Sequence, residues 1–155
     1  KFGKVLLNPD QDRKIAKIDY KQIYKNYELE NEDLLVTIVG TIGQTALYYK
    51  DDNAIAFQRS VGIIRGNEDV SQLFLKAIFD SSLIQKQLKK SSSISAQPGV
   101  YLGDLEKMTL MLPTIDEQIK IGEFFKEMDE VIDLKEQELK ALKQTKQGFL
   151  QKMFV

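Results

Sequence analysis

The sequence contains no histidine, no cysteine and no tryptophan, and only three of its 155 residues are proline. Without histidine or cysteine, Ser-His-Asp triads, Cys-His pairs and zinc sites built from imidazole or thiolate ligands are all excluded. The lack of cysteine also excludes a disulfide framework and is compatible with a cytoplasmic protein. Carboxylate or lysine chemistry is left open by the composition.

Long apolar runs are absent as well. The longest, residues 34–39 and 54–57, are far shorter than the roughly 20 residues of a membrane-spanning helix, so we expect no membrane association. The formal net charge is −1, and basic and acidic residues are nearly balanced on both sides of Pro113. Any nucleic-acid surface must therefore be local, because the chain as a whole has no basic excess.

What is present is the composition of a globular protein, with 43% hydrophobic residues. The chain begins at Lys1 without an initiator methionine, and we expect it to be a fragment or a trimmed chain. Residues 8–10 are Asn-Pro-Asp, which is not the Asn-Pro-Pro-Tyr motif of an adenine methyltransferase. With no catalytic constellation found, we expect neither an enzyme active site nor a cofactor or metal in this chain.

The character of the sequence changes at Pro113. Before it, short β-type runs alternate with turns, and after it the chain has no further proline. We predict an α+β fold with a small mixed α/β domain and a twisted sheet over residues 1–113, followed by a long coiled-coil helix over residues 114–155. Thr114 is the predicted N-cap of that helix, with Asp116 in the first turn and Glu117 in the capping-box position.

Apolar residues in the predicted helix recur with alternating spacings of four and three, which is the pattern of a coiled coil. At about 1.5 Å per residue the helix would be roughly 60 Å long, so much of this heptad seam needs a second helix. A helix lying on its own domain is the alternative. Lysines at 135 and 146 interrupt the seam and favour one register; its apolar positions are Ile121, Phe125, Met128, Ile132, Leu139, Leu142, Phe149 and Met153.

Four segments of the first part have the composition of regular elements. Residues 34–40 and 44–49 are predicted strands on either side of a turn, and residues 54–66 are one or two further strands. Residues 70–90 have the apolar spacing of one amphipathic helix, with Ser71 as its N-cap. Residues 105–113 are predicted as a last strand, and the more polar residues 1–33 as one or two strands with loops.

The turn between the first two strands contains the sequence Gly-Thr-Ile-Gly-Gln at residues 40–44. It lacks the Gly-Lys-Ser/Thr ending of a Walker A loop and the three glycines of the dinucleotide fingerprint. A KH-type loop that clamps single-stranded nucleic acid is set between helices, whereas these flanks are β-branched. A glycine hairpin turn is therefore favoured.

Several loop residues are of the types that contact DNA. Arginine, glutamine, serine and threonine pair with base edges, and lysines pair with phosphates. On composition alone, such loops are more often ordinary solvated connections. The candidates are Thr41, Gln44, Gln58, Arg59, Ser91, Ser92, Ser93 and Gln97, with Lys89 and Lys90 as phosphate contacts.

The order of these motifs resembles the specificity subunits of type I restriction–modification enzymes. The resemblance covers residues 28 to 155. Its first part consists of an acidic residue and two leucines at the start of a strand, then the Gly-Thr-Ile-Gly-Gln turn and a Gln-containing loop. Its second part is a long helix that begins with "LPTIDEQIKI" and ends with "KQGFLQKMF". Gln44 departs from the family pattern, in which lysine is commoner after the second glycine. The family's aromatic entry segment is also short here, so we expect the recognition domain to be incomplete at its N-terminus.

This resemblance implies that residues 1–113 form a target recognition domain for double-stranded DNA. It implies methyltransferase (modification) and restriction subunits as partners, no catalysis in this chain, and a cytoplasmic location. It also implies pairing of the long helix, with the second half of a specificity subunit or with another copy of the same chain. The sequence does not separate a natural half-subunit from the C-terminal half of a full subunit. The alternative function is a protein-interaction or scaffold module that pairs through its helix and binds no DNA.

Overall fold

The computed structural model describes residues 5, 12–25, 27–50, 55–92 and 99–154. In this part of the chain, a small antiparallel sheet packs against helices, and one long helix follows, which confirms the predicted α+β class. The elements in chain order are α1 (Lys17–Ile23), β1 (Leu34–Thr37), β2 (Thr45–Leu47), β3 (Val61–Ile64), α2 (Gln72–Asp80), α3 (Ser82–Ser92), α4 (Leu102–Glu106) and α5 (Ile115–Met153).

Strand β1 is the centre of the sheet, which has the order β2-β1-β3. It pairs antiparallel with both neighbours, so Leu35 lies opposite Ala46 on one side and Ile63 on the other. This confirms the predicted hairpin between the first two strands. Both faces of β1 are covered, because successive strand side chains point to opposite faces and its first three residues are all buried.

The core is therefore split between the two faces of the sheet. On one face, Leu34 and Val36 pack with residues from α2 and α3, among them Phe79 and Leu88. On the other, Leu35 packs with Leu29 and Tyr48. The continuous apolar run at residues 34–36 is what a central strand covered on both faces requires.

The predicted single helix over residues 70–90 is wrong in one respect, since the structure has two helices there. Ser71 caps the first as predicted, and its hydroxyl accepts a hydrogen bond from the Phe74 N–H at 3.4 Å. Ser81 interrupts the helix with an extended backbone, and its hydroxyl accepts from the Ile84 N–H at 3.4 Å. Ser81 thus ends α2 and caps α3, so the two helices can pack against the core in different directions.

The predicted last strand over residues 105–113 is also wrong. Residues 102–106 form the short helix α4, and residues 108–113 have no regular structure. The Asp104 carboxylate accepts from the Tyr101 N–H at 3.3 Å, which closes a helical turn where an extended strand was expected. Both neighbours of β1 are already in place. Among the described residues, the one isolated bridge lies further upstream, between Val39 and Gly99.

The prediction of a strand within residues 1–33 is wrong for the described part of that segment. Its one regular element is α1, where Tyr20 and Tyr24 lie one turn apart with ring centroids separated by 5.0 Å. The Tyr24 hydroxyl accepts from the Phe57 N–H at 3.1 Å and so connects this segment to the sheet. A tertiary contact of this kind leaves no local sequence pattern.

Helix α5 confirms the predicted long C-terminal helix, with 39 residues. Thr114 stands at the N-cap with an extended backbone, but its side chain makes no capping hydrogen bond, so the predicted capping box is not formed. Thr114 contributes its carbonyl instead, which accepts from the Gln118 N–H at 2.9 Å. Among the described residues, no helix has the length and apolar character needed to cross a membrane.

Candidate nucleic-acid interface

The turn between β1 and β2 is held by Thr37, the last residue of β1. Its hydroxyl accepts from the Gln44 N–H at 2.9 Å and donates to the Thr41 carbonyl. Its own carbonyl accepts from the Gly43 N–H at 2.8 Å. These bonds fix the turn from inside, so the side chains of Thr41 and Gln44 are left exposed at its surface.

The two glycines of this turn have different roles. Both have positive φ angles, +81° at Gly40 and +86° at Gly43, which favour glycine over any other residue. A Cβ on Gly43 would lie 2.5 Å from the Gln85 side-chain oxygen, whereas one on Gly40 would meet nothing within 4 Å. The close neighbour of Gly43 is thus helix α3, and Gln85 donates to the Gly43 carbonyl at 2.8 Å. Gly40 faces open space.

Gly40 and Arg59 line the same open groove, of about 1090 Å³. We call it the Arg59 groove. Arg59 is exposed, and it is the one charged side chain among the described residues that line this groove. No described carboxylate lies within ion-pair distance of it. The remaining lining residues are Tyr27, Ile38, Val39, Val61, Gly62, Ile63, Gly99, Val100, Tyr101 and Leu102.

Arg65, six residues further on, shows the contrasting situation. Its guanidinium forms two hydrogen bonds with the buried Asp33 carboxylate, at 2.7 and 2.8 Å, and stacks over the Tyr27 ring. The hydrogen bonds to Asp33 raise the pKa of Arg65. Arg65 is thus occupied within the fold, whereas Arg59 has no carboxylate partner among the described residues.

The other predicted contact residues lie on two sides of the turn. Gln58 is exposed next to Arg59, and its carbonyl accepts from the Val61 N–H at 3.0 Å.

Lys89 and Lys90 are exposed on α3, and Lys89 lies one helical turn beyond Gln85 on the same face. Ser91 and Ser92, expected in a loop, belong to the end of that helix. Ser93 and Gln97 lie outside the described residues. None of these positions is tested as a DNA contact by the geometry, and all stay predictions.

Helix α5 is joined to the domain by the buried amide of Gln118. Its Nε2 donates to the carbonyls of Asp69 and Pro113 at 3.1 and 3.0 Å, and its Oε1 accepts from the Ser71 N–H at 3.1 Å. The side chain is 2% exposed. One glutamine therefore satisfies three backbone groups at the junction of two helices, which explains why it follows "LPTIDE".

Two further contacts press α5 onto α2. A Cβ on Gly122 would lie 2.6 Å from the Leu73 Cβ and 2.7 Å from the Phe74 nitrogen, so only glycine allows this approach. About two helical turns further along, Asp129 accepts from the Lys76 ammonium at 2.7 Å. Burial alone would lower the pKa of Lys76, but its hydrogen bonds to Asp129 and Asp80 outweigh burial and raise it.

The heptad seam is mostly uncovered. Ile121, next to the close approach of Gly122 to α2, is half-buried, and the other apolar seam positions are exposed. The structure contains one chain, so it tests neither the coiled coil nor the dimer. The exposed apolar positions are Phe125, Met128, Ile132, Leu139, Leu142, Phe149 and Met153.

Sequence reasoning missed the residues that join the helix to the domain. Gly122 interrupts a helical pattern, and an isolated glycine of that kind signals close packing. Gln118 and the Lys76–Asp129 pair leave no such signal, because their partners are 47 to 53 residues away in the chain. The sequence analysis also did not name Tyr101, which lines the Arg59 groove. Its exposure fits strand-like alternation, because the preceding residue, Val100, is buried.

Within the described residues, no group of three or more acidic side chains is placed to hold a metal ion.

Comparison with known proteins identifies the family of the chain. Residues 3–144 match the family model described as the type I restriction modification DNA specificity domain. The matched region includes the sheet, the Arg59 groove and most of α5.

Two characterised relatives are similar over large parts of the chain. The specificity subunit of the type I restriction enzyme EcoBI from Escherichia coli is 34% identical over 110 residues, which are 70% of this chain and 23% of that subunit. The specificity subunit of the type I restriction enzyme MjaVIII from Methanocaldococcus jannaschii is 27% identical over 137 residues, 85% of this chain and 32% of that subunit. The chain spans about a quarter to a third of the length of these relatives. With a family match over nearly its whole length, the chain belongs to the type I restriction modification DNA specificity domain family.

Proposed function

We propose that this chain recognises duplex DNA sequence-specifically, as a specificity subunit or half-subunit of a type I restriction–modification enzyme. The observation that carries this proposal is the family match over residues 3–144, supported by two relatives named as specificity subunits. Residues 1–113 serve as the target recognition domain and residues 114–155 as the spacer helix. The chain acts in the cytoplasm and performs no catalysis. It directs a methyltransferase subunit and a restriction subunit to the site.

The electrostatics of the Arg59 groove support DNA as the ligand. Its described lining carries one cation and no carboxylate, so a polyanion can approach without repulsion. A second groove, of about 530 Å³ between α2 and α5, is lined by Asp80, Asp129 and Glu130 as well as by two lysines. Carboxylates there would repel phosphates. The DNA side of the domain is therefore the side of Arg59, Gly40 and the exposed turn.

Selection of binding sites from a random duplex library tests the proposal. The intact protein, alone and with its cognate modification subunit, should enrich one defined sequence. Arg59→Ala should weaken binding to that sequence about 10- to 100-fold, the range of one lost base-specific arginine contact. Lys126→Ala is the matched control, because it removes a cation from the α2–α5 groove and should leave selectivity unchanged. A protein that enriches no sequence would favour the scaffold alternative.

The heptad seam supports pairing of α5 with a second helix. Seven large apolar side chains exposed along one helix are costly in water, and an opposing helix would cover them. The partner is the second half of the specificity subunit or another copy of this chain. A two-fold pair of identical chains would recognise a palindromic site instead of an asymmetric one.

Substitutions on α5 test this pairing by analytical ultracentrifugation. Ile132→Asp with Leu139→Asp places two carboxylates in the seam and should leave monomers. Leu134→Asp is the matched control, since Leu134 is also an exposed apolar residue of the same helix but lies outside the seam. If the double variant stays associated to the same extent as the Leu134→Asp control, the seam assignment is wrong.

A further inference from the structure

Four exposed aromatic or aliphatic side chains line the Arg59 groove: Tyr27, whose ring is covered by Arg65, and the three rim residues Val39, Tyr101 and Leu102. Val39, Tyr101 and Leu102 are 52%, 65% and 57% exposed, and all three line the groove beside Arg59. Single exposed apolar residues are ordinary, but a cluster around a cation that has no carboxylate partner in the described part of the chain marks a binding surface. The α2–α5 groove offers no such combination, because its cations are accompanied by three carboxylates.

The backbone holds this rim in a fixed position. Val39 and Gly99 form an antiparallel bridge, and the Val100 N–H donates to the Ile38 carbonyl at 2.8 Å. Val100 is 3% exposed, so its side chain anchors the segment in the core and the next residue points outward. The rim is thus attached to the same stretch of chain that forms the glycine turn.

Helix α4 fixes Tyr101 from its other side. The Asp104 carboxylate accepts from the Tyr101 N–H at 3.3 Å, and the Tyr101 carbonyl accepts from the Asp104 N–H at 2.9 Å. Leu105, one residue later, packs against the core. The backbone of Tyr101 is therefore held while its ring projects into solvent, so little ordering is needed when a ligand binds.

On the edges of DNA base pairs in the major groove, the thymine methyl is the distinctive apolar group. Arginine recognises guanine there with two hydrogen bonds, and apolar side chains contact the thymine methyl. A surface with one unpaired arginine and an adjoining apolar rim is complementary to guanine and thymine in neighbouring positions.

We propose that Tyr101 is a specificity-determining residue, whose ring, with Val39 and Leu102, contacts a thymine methyl next to the base contacted by Arg59. This inference rests on the proposed function. It adds to that function the chemical group that is recognised, a thymine methyl, and a residue that the sequence motifs did not indicate, Tyr101.

Removing single methyl groups from the DNA tests it. Each thymine of the site enriched by the intact protein is replaced in turn by deoxyuridine, which differs by that methyl alone. At one position, the loss should weaken binding of the wild-type protein about four-fold, the effect of burying one such group. Tyr101→Ala should bind the thymine and deoxyuridine duplexes equally, whereas Tyr101→Phe, which keeps the ring, should retain the four-fold preference.

Tyr49→Ala is the matched control, because Tyr49 is an exposed tyrosine that lines the α2–α5 groove. It should keep the methyl preference. The inference is overturned if no thymine is sensitive, if the enriched site contains no thymine, or if Tyr101→Ala still discriminates fully. These results leave the proposed function intact, whereas a wild-type protein that enriches no sequence overturns both.

Discussion

The two halves of helix α5 share one heptad pattern but have different surroundings. In residues 115–133, Gln118 and Gly122 are buried against the domain, and Asp129 pairs with Lys76. In residues 134–153, none is buried. The same spacing of apolar residues thus continues through a docked half and an uncovered half.

The docked half is held by contacts that are not part of the heptad pattern. An amide that satisfies three backbone groups, a missing Cβ and an ion pair hold it to the domain. The seam positions themselves remain exposed from Phe125 onward. Docking to the domain therefore relies on Gln118, Gly122 and Asp129, none of which is a seam position, and among the seam residues Ile121 is half-buried near α2.

Replacing the buried amide should have the largest effect on stability. Gln118→Leu leaves the Ser71 N–H and the carbonyls of Asp69 and Pro113 without their partner, and we expect the free energy of unfolding to fall by about 3 kcal/mol. Urea denaturation measures it. In the uncovered half, Gln137 bonds only to Asp133 on its own helix, so Gln137→Leu should cost less than about 0.5 kcal/mol. Equal losses in both variants would contradict the distinction between the halves.

The glycines of α5 should respond with opposite signs. Gly122→Ala places a methyl 2.6 Å from Leu73 Cβ and close to the α2 backbone, so α5 must move away at a cost of about 2 kcal/mol. Gly148→Ala meets nothing within 4 Å and should raise stability by up to about 1 kcal/mol through helix propensity. Thermal melts followed by circular dichroism compare them, and a stabilising Gly122→Ala would show that α5 is not docked there.

Of these comparisons, the ion pairs should give the smallest difference in stability between the docked and uncovered halves of α5. Lys76 is largely buried between Asp80 and Asp129, so Asp129→Asn should cost about 1 kcal/mol. Lys135 and Glu138 form an exposed pair in the uncovered half, and Glu138→Gln should change stability by less than about 0.5 kcal/mol. Urea denaturation at two salt concentrations measures both, and equal salt sensitivity would show that Lys76 is solvated.

The pH dependence sharpens the same comparison. The folded-state pKa of Lys76 lies above its ordinary value of 10.5 because its hydrogen bonds outweigh burial. Its pairing therefore contributes fully below the unfolded-state pKa and is lost as the pH rises through the folded value. The difference in stability between wild type and Asp129→Asn should be constant from about pH 7 to 9 and should narrow above about pH 11. If the difference in stability between the two proteins changes near neutral pH instead, a group other than Lys76 causes its pH dependence.

Local patterns predicted the parts of this fold that depend on neighbours in the chain. The hairpin around residues 40–44, the Ser71 cap and the length of α5 follow from turn chemistry, capping and periodicity. Two of the errors lie where a single polar side chain redirected the backbone, and a third lies in the described part of residues 1–33, where α1 stands in place of a strand. Ser81 divided a predicted helix, and Asp104 closed a helical turn where a strand was expected.

The candidate site was predicted less completely than the fold. The sequence analysis named Arg59 as one of ten DNA-contact candidates, but the contact that occupies Arg65, with Asp33 from 32 residues away, became visible only in the fold. Tyr101 has an ordinary sequence context. It becomes a candidate only because Val39 and Arg59 lie beside it in the folded chain.

By itself, the sequence determined the class of the fold, the family and the presence of a long helix with an apolar seam. These depend on residue order over short distances, where hydrogen bonding and side-chain spacing are set locally. The tertiary structure decided that Arg65 is bonded to Asp33, what the second glycine of the turn packs against, and where α5 is fixed to the domain. Each of these depends on groups far apart in the chain, and burial of polar atoms and close backbone approach arise only when those groups meet.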